Sequence, residues 1–187
     1  MLFIFLFAVV LSPLAFALSH AVIREGLEKG HLFPDVLDEF EPQSELRITY
    51  HMTRMLQMGT TIEPQEVEER PHVWFSKTND VSQYSLVLMD PDNEENGPYL
   101  HWLVTNIDGQ RPATDVSNDD PLFQYIPYTA PTASDNPHRY VFALLEQSQQ
   151  NQTMTPENPR LDRTAFDINK FAKENNMKIV TALYMLL

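Results

Sequence analysis

Two apolar runs decide most of what this chain can become. Tyr84 to Met89 and Leu100 to Ile107 are dense rather than alternating. That is the pattern of strands buried on both faces, which need packed layers above and below. Leu46-Arg47-Ile48-Thr49-Tyr50 instead alternates apolar and polar with period two, a half-buried strand. Val73-Trp74-Phe75 is short, aromatic and bounded by Pro71 and Lys77, and Tyr140 to Leu145 and Lys178 to Leu187 complete at least six strands. The segments between them carry many of the chain's 14 prolines. The spacing predicts a mainly β fold, an antiparallel β-sandwich rather than a βαβ arrangement, with peripheral helices.

One helix near the C-terminus is well signalled. Asp167 can cap it, and Phe166 before the cap lies at the offset that packs on Phe171, a hydrophobic staple. Asn175-Asn176 offers a left-handed stop before the last strand. Ala21 to Lys29 predicts a second short helix ended by Gly30, and Phe33-Pro34-Asp35 opens a further segment reaching Phe40.

Met1 to Leu18 has no charged side chain, and Ala15-Phe16-Ala17 has the small-x-small pattern of a signal-peptidase site. Residues 1–17 are therefore read as a signal peptide and 18–187 as a single domain in the secretory pathway. Pro13 and the shortness of the run argue against a stable membrane span. Asn151-Gln152-Thr153 is an N-glycosylation sequon, which makes Asn151 a candidate glycan site. The chain has no cysteine, so disulfides, thiolate nucleophiles and cysteine-based zinc sites are excluded, and stability must come from packing. A net charge of −13 repels nucleic acid, so any bound anion must be held by a local site against the overall field.

Polar residues collect where the apolar strands end. Asp90-Pro91-Asp92 follows the first dense run, His101 lies inside the second, and His138-Arg139-Tyr140 opens the strand to Leu145. Two carboxylates, two imidazoles and a phenol at adjacent strand ends could share one pocket. Each also has a structural reading: an Asp-Pro-Asp turn caps strands, and a histidine in a buried strand can be a satisfied core residue. A buried histidine beside carboxylates is a recognised way of shifting pKa values at sites.

Four stretches resemble successive signatures of the phosphatidylethanolamine-binding protein family: LDEFEPQSELRITY, YSLVLMDPDNEENGPYLHWLVTNI, PHRYVFALLEQ and FDINKFAKENNMKIVTALY. The resemblance runs from about Phe33 to Tyr184 and implies a β-sandwich with peripheral helices. It also implies a small pocket for phosphate, carboxylate or a lipid headgroup, formed here by Asp90, Asp92, His101, His138 and Tyr140 with Pro131 on the rim. In that pocket protonated imidazoles and the phenol would donate to the anion, and the aspartates would hold the histidines charged. Arg139 would brace the fold. Three departures from the family pattern bear on phospholipid binding. Glu94 replaces a proline, Thr132 to Pro137 contains no glycine where the family is glycine-rich, and the chain stops at Leu187 without the usual C-terminal lid. A wider mouth is expected.

The favoured function is a secreted, non-catalytic protein binding a small anionic or polar ligand. Secreted members in filamentous fungi suggest a second role, as an accessory protein in secondary-metabolite (maleidride-type anhydride) biosynthesis, partnering an enzyme that couples monomers. A third role is inhibition of a serine carboxypeptidase. His101 with Asp90 could act as a base, but no activated nucleophile, G-x-S-x-G elbow or phosphate loop is visible. No catalytic residue, cofactor or metal ligand is assigned.

Overall fold

The computed structural model describes residues 13–51, 53–79, 82–108, 124–126, 128–147 and 162–187. The candidate glycan residue Asn151 and leader residues 1–12 lie outside them.

Nine strands in two sheets form the described body. Strands β1 (Leu46–Tyr50), β2 (Arg54–Met55) and β4 (His72–Phe75) make the smaller sheet, in the order β2-β1-β4. The larger sheet has the order β3-β9-β8-β5-β6-β7. Its members are β3 (Thr60–Thr61), β5 (Gln83–Asp90), β6 (Tyr99–Asp108), β7 (Gln124–Ile126), β8 (Arg139–Gln147) and β9 (Met177–Leu186). All its pairings are antiparallel except β3 with β9. The strands β2, β3 and β7, two or three residues each, were not anticipated, because so short a run leaves no periodic pattern.

The dense runs are buried on both faces. Tyr84, Leu86 and Leu88 of β5 point into the sandwich core with Ile48, Val73 and Phe75 of the smaller sheet. Their neighbours Val87 and Met89 point the other way, into a second core closed by Leu27, Leu32, Leu37, Phe166 and Phe171. Period two along β5 thus serves two layers at once.

Two helices cover that outer face. The described part of α1 spans Pro13–Lys29, longer than the expected Ala21 start, and crosses the expected cleavage point between Ala17 and Leu18. No helix among the described residues is long and apolar enough to cross a membrane. At the helix end the left-handed residue is His31 (φ 51°), not Gly30. Gly30 meets a different demand, since a Cβ there would lie 2.5 Å from Cε1 of Tyr184. Helix α2 (Ile168–Glu174) is capped by Asp167, whose carboxylate accepts from the backbone of Asn169 and Lys170. The Phe166 and Phe171 rings pack with centroids 5.5 Å apart, and Asn176 takes the left-handed stop (φ 51°). Between the helices, residues 33–36 form a turn, with Leu37 N donating to Leu32 O at 2.9 Å.

Candidate functional site

Strand order makes the site. Because β5 lies between β8 and β6 in antiparallel pairings, its C-terminal end meets the N-terminal ends of both neighbours. Asp90 pairs with Tyr99, and Met89 pairs with Val141. Asp90, His101, His138 and Tyr140 are thereby gathered at one edge of the larger sheet.

His101 owes its position to a β-bulge. The register passes from Leu88↔Trp102 to Met89↔Leu100, which leaves His101 as the extra residue on β6. A bulge re-aims the side chain it carries. His101 comes to lie edge-on to Tyr140, 5.3 Å between centroids, and edge-on to Tyr99 at 5.0 Å. Its carbonyl accepts from Thr129 N and from Arg163 Nη1, both at 2.9 Å.

The hydrogen bonds sort the expected residues into two groups. Asp90 is fully buried; its Oδ2 lies 2.9 Å from Nδ1 of His138, and its Oδ1 accepts from Asp92 N at 2.9 Å. Asp90, His101, His138 and the ring of Tyr140 are brought together. Asp92 is not part of that cluster. Its Oδ2 accepts from Nε and from the backbone N of Arg139, both at 2.8 Å, and its Oδ1 from Nη2 at 2.5 Å. Nη1 of Arg139 donates on to the carbonyls of Gly30 (3.0 Å) and His31 (2.7 Å). Alternation along β8 explains the split, since consecutive residues face opposite sides of a sheet. Asp92 therefore pins the end of α1 through Arg139, whereas the sequence reading has it orient an imidazole.

Two further expectations change. The hydroxyl of Tyr140 donates to Thr132 O at 2.7 Å and accepts from Thr132 N at 3.3 Å, so it is spent on the backbone and not offered to a ligand. Pro131, expected on a rim, is buried.

The electrostatics follow from these contacts. Burial pushes the His101 imidazole below its ordinary value, against the Thr129 carbonyl and Asp90, which favour its charged form. The sequence alone suggested the reverse, because it placed carboxylates beside the ring where the fold puts a carbonyl and an apolar wall. Burial likewise raises the Tyr140 phenol, and Asp90 adds to the effect. For Asp92 burial pushes upward, but the side-chain and backbone hydrogen bonds from Arg139 outweigh it and leave the carboxyl below its usual range. Arg139 is raised in turn, first by its hydrogen bond to Asp92.

Sequence reasoning missed Thr129, Thr132 and Arg163. The two threonines act mainly through backbone atoms, which carry no residue-type signal, and Arg163 is distant in sequence from the strands it ties. No group of three or more His, Cys, Asp or Glu side chains among the described residues is placed to hold a metal ion.

Comparison with known proteins places this geometry. The family model described as Phosphatidylethanolamine-binding protein matches residues 38–185. Protein TERMINAL FLOWER 1 of Arabidopsis thaliana is 32% identical over 167 residues, covering 86% of this chain and 88% of its own length. Protein FLOWERING LOCUS T of the same plant is 30% identical, covering 86% of this chain and 88% of its own. Among solved structures, a phosphatidylethanolamine-binding protein from Plasmodium vivax superposes with a TM-score of 0.71 at 18% identity, covering 87% of this chain and 95% of that one. A carboxypeptidase Y inhibitor, solved with its cognate proteinase, superposes with a TM-score of 0.70 at 19% identity, covering 89% and 95%. At those identities the two structures attest the fold.

Proposed function

The chain belongs to the phosphatidylethanolamine-binding protein family, and from that premise we propose that it binds a small anionic ligand, without turning it over, at the edge formed by β5, β6 and β8. One observation carries this reading: His101 and His138 both lie near the Tyr140 ring, with centroids 5.3 and 6.5 Å away, and the buried carboxylate of Asp90 lies 2.9 Å from Nδ1 of His138. Imidazoles flanking β5 can hydrogen-bond a phosphate or carboxylate, and Asp90 fixes the orientation of that of His138. Calorimetric titration with phosphate and with a small dicarboxylate tests this. Binding at about millimolar concentration or tighter is expected, and heats indistinguishable from buffer for both ligands would overturn the reading.

The charge-free leader Met1 to Ala17 supports secretion. N-terminal sequencing of the expressed protein should start at or near Leu18, and an intact Met1 in a cytosolic fraction would refute it.

A second reading is inhibition of a serine carboxypeptidase, favoured by the superposition on the carboxypeptidase Y inhibitor. It requires no anion in the strand-end site, so an inhibition assay separates it from the first.

A further inference from the structure

The turn between β5 and β6 carries chemistry that the anion site does not use. It holds Asn96-Gly97, the one Asn-Gly pair in the chain. Asparagine is among the chemically labile residues. It can react with its own backbone, because its side-chain carbon Cγ and the amide nitrogen of the next residue close a five-membered ring. Covalent connectivity already keeps the two atoms close, so only χ1 and ψ of Asn96 separate them. A following glycine brings no Cβ to crowd the approach. Two features of a fold oppose the reaction: a hydrogen bond holding the side-chain amide, and one holding the next backbone N–H.

Neither operates on Asn96 among the described residues. Asn96 is exposed, and it bonds through its backbone, N donating to Oδ1 of Asn93 at 2.9 Å and O accepting from Ala165 N at 3.0 Å. The second bond also accounts for Gly97 N, which has no acceptor among the described residues. In a planar trans peptide C=O and N–H point in opposite directions, so anchoring Asn96 O on Ala165 turns Gly97 N–H away from that segment. Gly97 has φ 68°, which reserves the position for glycine. Other asparagines are held. The side chain of Asn93 binds Asn96 N, that of Asn169 binds Asp38 N and Val36 O, and that of Asn175 binds Phe171 O. Each of these three is followed by a residue with a side chain.

We infer that Asn96 is a spontaneous modification site of the folded protein, left open by the native turn to deamidation through a cyclic imide. Gly97 N gives up its proton and bonds to Cγ of Asn96. The bond from Cγ to Nδ2 breaks, and ammonia leaves carrying that proton. Water then opens the imide. Addition at Cγ restores the original chain, with aspartate at the position. Addition at the main-chain carbonyl carbon reroutes the chain through Cγ as isoaspartate, and the carbonyl that held Ala165 N becomes a free carboxylate. Either product is ionised near neutrality and adds one negative charge to the net −13.

Peptide mapping by mass spectrometry tests this, on the full chain incubated at mildly alkaline pH both folded and in denaturant. Both samples should gain the mass difference between amide and carboxyl at Asn96. The folded rate should lie within about tenfold of the unfolded one, since no local opening has to precede the reaction. A larger slowing would show that the fold protects the site, and the inference would fall. In the folded sample Asn93, Asn169 and Asn175 should keep their amides. Conversion there as fast as at Asn96 would equally sink it, because the free turn would then confer nothing. Asn96→Gln, whose ring would need a sixth member, should lose the mass gain of the intact folded protein. A gain as fast as in the wild type would place the reaction elsewhere. The wild-type comparison of folded and unfolded chain stands without that variant.

Discussion

Arg139 and Asp92 form a forked pair across the ends of β8 and β5, with Nε and Nη2 of the guanidinium on the two carboxylate oxygens at 2.8 and 2.5 Å. The same guanidinium reaches the carbonyls of Gly30 and His31, so one side chain ties the site strands to the end of α1. Lysine cannot make both sets of bonds. Arg139→Lys should destabilise the fold by about 1–3 kcal/mol, the scale of lost hydrogen bonds to a charged group. The pH dependence is specific. The Asp92 carboxyl is held below its ordinary value, so the stability it adds is present above the usual carboxylate range and lost as pH falls through the depressed value. Denaturant melts of both proteins should differ near neutrality and converge in strong acid. A constant difference at every pH would show that the pair is not the cause.

Gly30 faces the Tyr184 ring with no room to spare. An added Cβ would lie 2.5 Å from Cε1 and 2.6 Å from Cζ, closer than real Cβ atoms approach. Gly30→Ala should therefore cost about 1–3 kcal/mol through displaced packing, although alanine is the better helix former. The cost should shrink when Tyr184→Ala is present, because the clash has lost its partner. Additive effects in that double-mutant cycle would place the strain elsewhere.

The staple at α2 is the third test. Phe171 is 5% exposed and its ring packs on Phe166 and into the outer core of the larger sheet. Phe171→Ala should destabilise by about 3–5 kcal/mol. A thermal melt unchanged within error would show that the helix contributes little to the cooperative unit.

How much of this was legible in the residues depends on which atoms act. The strands at residues 84–89 and 100–107 announce themselves because side-chain polarity records burial on two faces. The α2 cap is equally plain, since Asp167 and Phe166 act through their side chains at fixed offsets. The membership of the site is half legible. Asp90 and His138 meet as their types suggest, but Asp92 could not be separated from Asp90 without knowing that Arg139 turns to the opposite side of β8. The direction of the His101 shift was hidden for a similar reason. A bulge in β6 sets the ring against a threonine carbonyl, and neither a bulge nor a carbonyl is written in residue identity.

That misjudged histidine carries the last prediction. Burial pushes the His101 imidazole below its ordinary value of 6.5, so the unfolded chain takes up a proton that the folded chain resists. The unfolded state then binds more protons, and stability must rise with pH across the window just below the ordinary value. On acidification the fold weakens through that window until His101 itself protonates. His101→Gln, which cannot titrate, should flatten this slope. The chain has 6 histidines, so the informative quantity is the difference between wild type and variant and not the wild-type slope alone. Denaturant unfolding from about pH 7.5 down to about pH 5 should show the two stability curves diverging toward neutrality, with the wild type gaining more as pH rises. Parallel curves would mean that His101 takes up its proton as easily folded as unfolded, and the buried neutral ring would have to be abandoned.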